Sequence, residues 1–171
     1  MGLLSEIKQD VLAHKAFFSV STHRAFRFFS LKILISFRIR CFAQRASIPL
    51  INAILGAMER ILWGIEISPL AKLGSVIFLH SVGIVIGSGS VVGNNTVFNG
   101  GNVLGNRYRQ RTKALSGCPK IGKNVHIGCG AKILGSITIG NNVHIGANAV
   151  VITNIPNNSV AVGIPAKYRA L

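Results

Sequence analysis

The stretch KIGKNVHIGCGAKILGSITIGNNVHIGANAVV, Lys120 to Val151, has a period that neither a helix nor a strand explains. Ile121, Ile127, Ile133, Ile139, Ile145 and Val151 recur at every sixth position, and Gly122, Gly128, Gly140 and Gly146 stand directly behind four of them. Two positions before each next member come Val125, Ala131, Ile137, Val143 and Ala149, all small or β-branched. A helix repeats every 3.6 residues and a strand every two. A unit of six makes sense as one short strand and one corner. Its apolar residue points in, and Gly or Asn takes the corner, where backbone dihedrals are unusual. Three such units close a triangular coil of 18 residues, and stacked coils bury a continuous aliphatic column.

Working upstream, Ile86, Val92, Phe98 and Leu104 keep the same step, with Gly87, Gly93 and Gly105 behind three of them. Ile67, Leu73 and Leu79 form a further inward run that slips by one residue at Gly83. Asn94–Asn95, Asn141–Asn142 and Asn157–Asn158 fall where corners are due. Aromatic residues are only 7% of the chain, as expected if a Phe or Trp would overfill the prism. The fold class is therefore mainly β: a parallel β-helix of about four coils over residues 63–171, ending in a C-terminal cap. Between Leu104 and Ile121 the spacing is 17 rather than 18, and the apolar column is missing. A loop at about 106–119 must leave the coil there. It carries Arg107, Arg109, Arg111 and Lys113, with Lys120 and Lys123 just after it.

Residues 1–62 have the three-and-four spacing of helices, through Leu4, Ile7, Val11 and Leu12 and again from about Thr22 to Arg45. SIPLINAILGAMERIL reads as a third helix, with Ser47 placed to cap it and Pro49 in its first turn. The second helix holds Arg24, Arg27, Lys32, Arg38, Arg40 and Arg45 beside five Phe. Packing on its own protein is the first reading, and docking on an anionic membrane surface is the alternative.

The net charge is +15, with ten Lys/Arg against one acid after Arg60, so the basic excess reaches both halves. Such a surface favours polyanions, including phosphate-bearing cofactors. No nucleic-acid motif accompanies it, so no nucleic-acid partner is expected. Three cysteines without CxxC spacing suit a reducing compartment. The polar N-terminus and the interrupted apolar runs predict a cytoplasmic protein, peripheral at most to the inner face of a membrane. His126 and His144, 18 apart, should stack one above the other and point outward; two imidazoles are too few for a metal site.

The blocks IEISPLAKLG, FLHSVGIVIG, CPKIGKNVHIG and VAVGIPAKYRA, in this order, resemble the left-handed β-helix acyltransferases of the serine acetyltransferase branch. The resemblance covers about residues 64–170. It implies a homotrimer, acetyl-CoA as donor, and active sites in the grooves between subunits. It makes His80 the general base on the acceptor hydroxyl and Glu66, where the family usually has Asp, the carboxylate that orients it. Such a hydroxyl is too weakly acidic to attack a thioester unaided, so proton removal in the transition state is needed. By the same resemblance the coenzyme contacts positions matching Asn106, Cys129 and Ala147, flanked by Lys167, and Arg107 is a phosphate-binding candidate.

Gly117-Cys118 stand where the cysteine-biosynthesis enzymes have an Arg-His pair that grips the amino acid's carboxylate. The Cys-Pro after a long loop looks more like the acetyltransferases of exopolysaccharide assembly, the colanic acid type. The expectation is then an O-acetyltransferase acting on a sugar hydroxyl of a small-molecule or lipid-linked glycan. The alternatives are a serine O-acetyltransferase and a non-catalytic β-helix binding protein.

Overall fold

The computed structural model describes residues 2–19, 29–109, 114–115 and 117–171. Arg24, Arg27, Arg111 and Lys113 lie outside the described residues, as does the expected start of the second helix at Thr22. Three helices, α1 (Leu3–Phe18), α2 (Phe29–Arg45) and α3 (Pro49–Trp63), precede the β-strands. Ser47 does not cap α3. Its φ of 55° places it in the left-handed turn between α2 and α3, and Ile48 takes the cap position, with the proline at the helix start.

The hexapeptide units are strands of two to five residues on three faces of a prism. The first face carries β1 (Glu66–Ile67), β4 (Val85–Ile86), β7 (Val103–Gly105), β12 (Lys132–Leu134) and β15 (Val150–Val151). The second carries β2 (Lys72–Leu73), β5 (Val91–Val92), β10 (Lys120–Ile121) and β13 (Thr138–Ile139). The third carries β3 (Ile77–His80), β6 (Val97–Asn99), β11 (His126–Ile127), β14 (His144–Ile145) and β16 (Ser159–Gly163). All pair in parallel, giving about five turns. β17 (Ala166–Ala170) closes the third face antiparallel to β16. The loop leaves at the corner between the first and second faces. It contains a small hairpin of β8 (Tyr108–Arg109) and β9 (Ala114–Leu115).

Every expected inward residue from Ile86 onward is buried, among them Ile127, Ile133, Ala149 and Val151 at 0% exposure. The first turn differs. Phe78, not Leu79, points in, and it packs on Phe98 with ring centroids 5.3 Å apart, so the prism does hold aromatic rings. The register breaks between Phe78 and His80, earlier than the expected slip at Gly83. A β-bulge there re-aims the residues that follow it, leaving Leu79 and His80 both exposed.

The corner between the second and third faces is built from Asn95, Asn124, Asn142 and Asn158, all at φ 53–59°. Their side chains join in a ladder at 2.9–3.1 Å. Asn tolerates this left-handed conformation better than other residues with a Cβ. The corner between the third and first faces uses Gly64, Gly83, Gly101 and Gly130 instead, followed by Asn148. There a Cβ on Gly83 or Gly101 would stand 3.4 Å from the glycine of the next turn, so the turns stack closely at this corner.

Buried ion pairs join the helices, and their arginines hold the prism through backbone carbonyls. Arg38 on α2 donates to wholly buried Asp10 of α1 (2.9 and 3.2 Å) and to the carbonyls of Leu73 and Gly74 (2.9 and 3.0 Å). Arg40 donates to buried Glu59 of α3 and, at 3.0 Å, to the Ile67 carbonyl. The basic helix is therefore the centre of the helical region rather than a free charged face. Conversely, α3 turns Gly56 and Glu59 inward and leaves Leu50, Ile54, Met58 and Ile61 exposed, because its partner face on α2 is the Arg40 side. No helix of the described residues is long and apolar enough to cross a membrane.

His14 is wholly buried between α1 and α2. Burial holds its imidazole below the ordinary value near 6.5, against the opposing pull of Asp10. The folded state thus binds this proton more weakly than the unfolded chain does. The stability His14 contributes is complete above pH 6.5 and is lost as the pH falls from there through the lower folded value. We expect the melting temperature of a His14→Gln variant to fall less than that of wild type between pH 7 and pH 5. A thermal melt series in which the two curves run parallel would contradict this.

Candidate active site

His80 ends β3 beside the glycine corner, and Glu66 opens β1 on the other side of it. The Gly83 N–H donates to the Gly64 carbonyl at 2.9 Å and ties the two segments across that corner. Both side chains are exposed. Glu66 lies alongside Val85 on the first face, whereas His80 lies alongside Asn99 on the third. No hydrogen bond or ion pair joins Glu66 to His80 among the described residues. The structure brings the two to one corner but not into contact.

Gly100 explains how His80 fits. Its φ is +70°, and a Cβ built on it would stand 3.1 Å from the His80 carbonyl oxygen and 3.3 Å from the His80 Cβ. Gly100→Ala would combine a left-handed conformation costing about 1–2 kcal/mol with direct pressure on His80. The variant should melt lower than wild type and show a lower turnover number. Unchanged kinetics in a folded Gly100→Ala protein would mean that His80 is not held from this side.

The residues predicted to hold coenzyme fall into two groups. Cys129 and Ala147 are one turn apart at the glycine corner; the Asn148 N–H donates to the Cys129 carbonyl at 2.8 Å. Lys167 on β17 pairs with Val162, which overlies Gly146, and so stands above the same column. Asn106 and Arg107 lie instead past the far edge of the first face, where the loop departs. There the Cys118 thiol donates to Asn106 Oδ1 at 2.9 Å. One prism therefore does not bring the five together. Of the thiols, burial pushes Cys41 up to about 11, which makes it a poor nucleophile.

His126 and His144 stack as spaced, with ring centroids 5.9 Å apart. Burial, and next the neighbouring His144, lower the pKa of His126. Two features escaped sequence reasoning. Asn99 Nδ2 donates to His126 Nε2 and to the Ile127 carbonyl, both at 3.1 Å, and so extends the polar column of the third face to the residue paired with His80. Ser30 of α2 accepts the Phe78 N–H at 2.8 Å, two residues before His80. Asn99 sits at an ordinary outward strand position, and Ser30 is 48 residues away in sequence, so neither carried a local signal.

With this geometry in place, comparison with known proteins is informative. A family model described as bacterial transferase hexapeptide (six repeats) matches residues 118–153, and one described as hexapeptide repeat of succinyl-transferase matches residues 73–98. A serine acetyltransferase of Synechococcus elongatus is 38% identical over 140 residues, covering 80% of this chain and 56% of that protein. The structure is similar to the soybean serine acetyltransferase apoenzyme, with a TM-score of 0.83 and 32% identity over 98% of this chain and 69% of that one. It is also similar to a serine acetyltransferase in complex with CoA, with a TM-score of 0.84 and 28% identity over 98% of this chain and 69% of that one. The chain spans about half the length of the curated relatives it matches, 56% and 51% for two of them.

These findings correct the expected acceptor. The curated homologues and solved structures are serine acetyltransferases, and nothing in them supports a closer relation to exopolysaccharide enzymes or a glycan acceptor. Gly117-Cys118 and the Cys-Pro after a long loop are local differences, and similarity running through both the helices and the coils outweighs them.

Proposed function

The chain belongs to the hexapeptide-repeat β-helix acetyltransferases, among the homologues of serine acetyltransferase, and on that premise we propose that it transfers an acetyl group from acetyl-CoA to the hydroxyl of L-serine. The observation that carries the reading is His80, set exposed by a β-bulge at the corner that Glu66 also borders. His80 takes the proton of the attacking hydroxyl and Glu66 steadies the ring, directly or from a neighbouring copy. The oxygen then adds to the thioester carbonyl, the C–S bond breaks, and the sulfur takes the proton back from His80, so the coenzyme leaves as its thiol and the base is restored.

Coenzyme A would be held by Cys129, Ala147 and Lys167 on one side and by Asn106 and Arg107 on the other. Because one chain separates these groups, a site formed between two prisms in a homotrimer suits them better than a site within one. The Arg-His carboxylate grip is absent, so a different cation has to hold the amino acid. The surplus of Lys and Arg over the coils makes this chemically reasonable.

Thiol release from acetyl-CoA with L-serine as acceptor tests the reading. Serine-dependent release, with O-acetylserine identified by mass, is the expected result. Release that does not depend on serine, or none at all with the full chain, would overturn it.

A further inference from the structure

We propose that Ser30, oriented by His14, is a positioning residue for His80, acting through the backbone of β3; the inference rests on the reading of His80 as the base. β3 is the edge strand of the third face. Its Ile77 N–H is taken by the Thr96 carbonyl at 2.9 Å, which leaves the Phe78 N–H on the open side of the strand. The hydroxyl of Ser30 caps that donor at 2.8 Å.

The direction of each bond follows from the groups present. The Asp10 carbonyl can only accept, so His14 donates to it from Nδ1, at 2.8 Å. Its Nε2 then has a lone pair and accepts the Ser30 O–H, also at 2.8 Å. With its proton committed, Ser30 Oγ offers lone pairs to Phe78. All of this lies in the interior: His14 has 0% exposure, Ser30 and Phe78 3% each. In a low-dielectric interior each link is costly to break, and the chain holds one geometry.

The arrangement matters because the ladder to β6 loses register between Phe78 and His80. The ladder resumes only at His80, opposite Asn99, so where His80 sits depends on the geometry of the bulge before it. The bulge is pinned by Ser30 before it and bounded by Gly100 beside it. General-base catalysis is sensitive to such placement, since a shift of about 1 Å can cost about 10²-fold in rate.

The experiment compares full-length wild type, Ser30→Ala, Ser30→Thr, His14→Leu and His80→Ala, with acetyl-CoA and L-serine as substrates. Histidine ring NMR is recorded on the same proteins, the His80 signal being assigned by its loss in His80→Ala. For Ser30→Ala, a drop in kcat of about 10- to 10²-fold is expected, with KM for acetyl-CoA unchanged and the His80 ring signal displaced while His144 stays. Ser30→Thr, which keeps the hydroxyl, should recover much of both. His14→Leu should lose kcat in the same direction, and it decides the question if Ser30→Ala does not fold. Wild-type kcat and an unmoved His80 signal in folded Ser30→Ala would overturn the proposal. So would a disturbance spread equally over every histidine, which is what loosened packing alone would give. If wild type and His80→Ala are equally inactive towards serine, it is the proposed function that falls. The NMR comparison then still decides the positioning.

Discussion

Replacing His80 with alanine is expected to lower kcat towards serine by about 10²–10⁴-fold, the usual contribution of a positioned proton acceptor. The size follows from the chemistry. A serine hydroxyl holds its proton too tightly to attack a thioester, so the proton must move as the C–O bond forms. Water can accept it only without orientation. The KM for acetyl-CoA should change little, because the proposed coenzyme contacts Cys129, Ala147 and Lys167 stand on later turns of the prism. Glu66→Gln should cost less than His80→Ala, since a partner that orients the ring is not itself the proton acceptor. Steady-state kinetics on the three proteins give the order directly. A His80→Ala enzyme as active as wild type would remove His80 from the mechanism, and a larger loss from Glu66→Gln would exchange the two roles.

The solenoid was legible because its signal is repeated. Each turn states the same rule, an inward aliphatic residue every sixth position, and one misread unit is outvoted by the rest. The first turn has no such protection. From Leu73 the next member of the inward column is Phe78, five positions on, whereas the six-residue rule points to Leu79. That slip is the bulge that presents His80, so the rule fails where the candidate site is.

The helices followed a different logic. Their apolar spacing was readable, but which face turns inward was not. Arg38, Arg40, Asp10 and Glu59 read as surface residues by type, yet they are buried because each finds an opposite charge or a backbone carbonyl from another element. Such partners lie 19 to 36 residues apart and leave no periodic trace. Ser30 is invisible for the same reason. The sugar acceptor rested on local features, Gly117-Cys118 and the loop before them, and similarity to serine acetyltransferases through helices and coils outweighs them.

Asp10→Ala should destabilise the fold by about 3–5 kcal/mol, the range for removing one partner of a buried ion pair. Asp10 has 0% exposure, and its two carboxylate oxygens take the Nε and Nη2 of Arg38. Without it, the Arg38 guanidinium keeps its bonds to the Leu73 and Gly74 carbonyls, but its charge is buried with no carboxylate in direct contact. Glu6 is 3.8 Å from Arg38 and offsets only part of this. The loss reaches beyond the helices, because Arg38 is also the clamp on the corner after β2. A double variant distinguishes the causes. Asp10→Ala with Arg38→Leu removes the stranded charge together with its partner, and should be more stable than Asp10→Ala alone. Denaturant unfolding of both variants reads the difference. If the double variant were the less stable of the two, Arg38 would stabilise the fold mainly through the Leu73 and Gly74 carbonyls. The ion pair with Asp10 would then be secondary to the clamp.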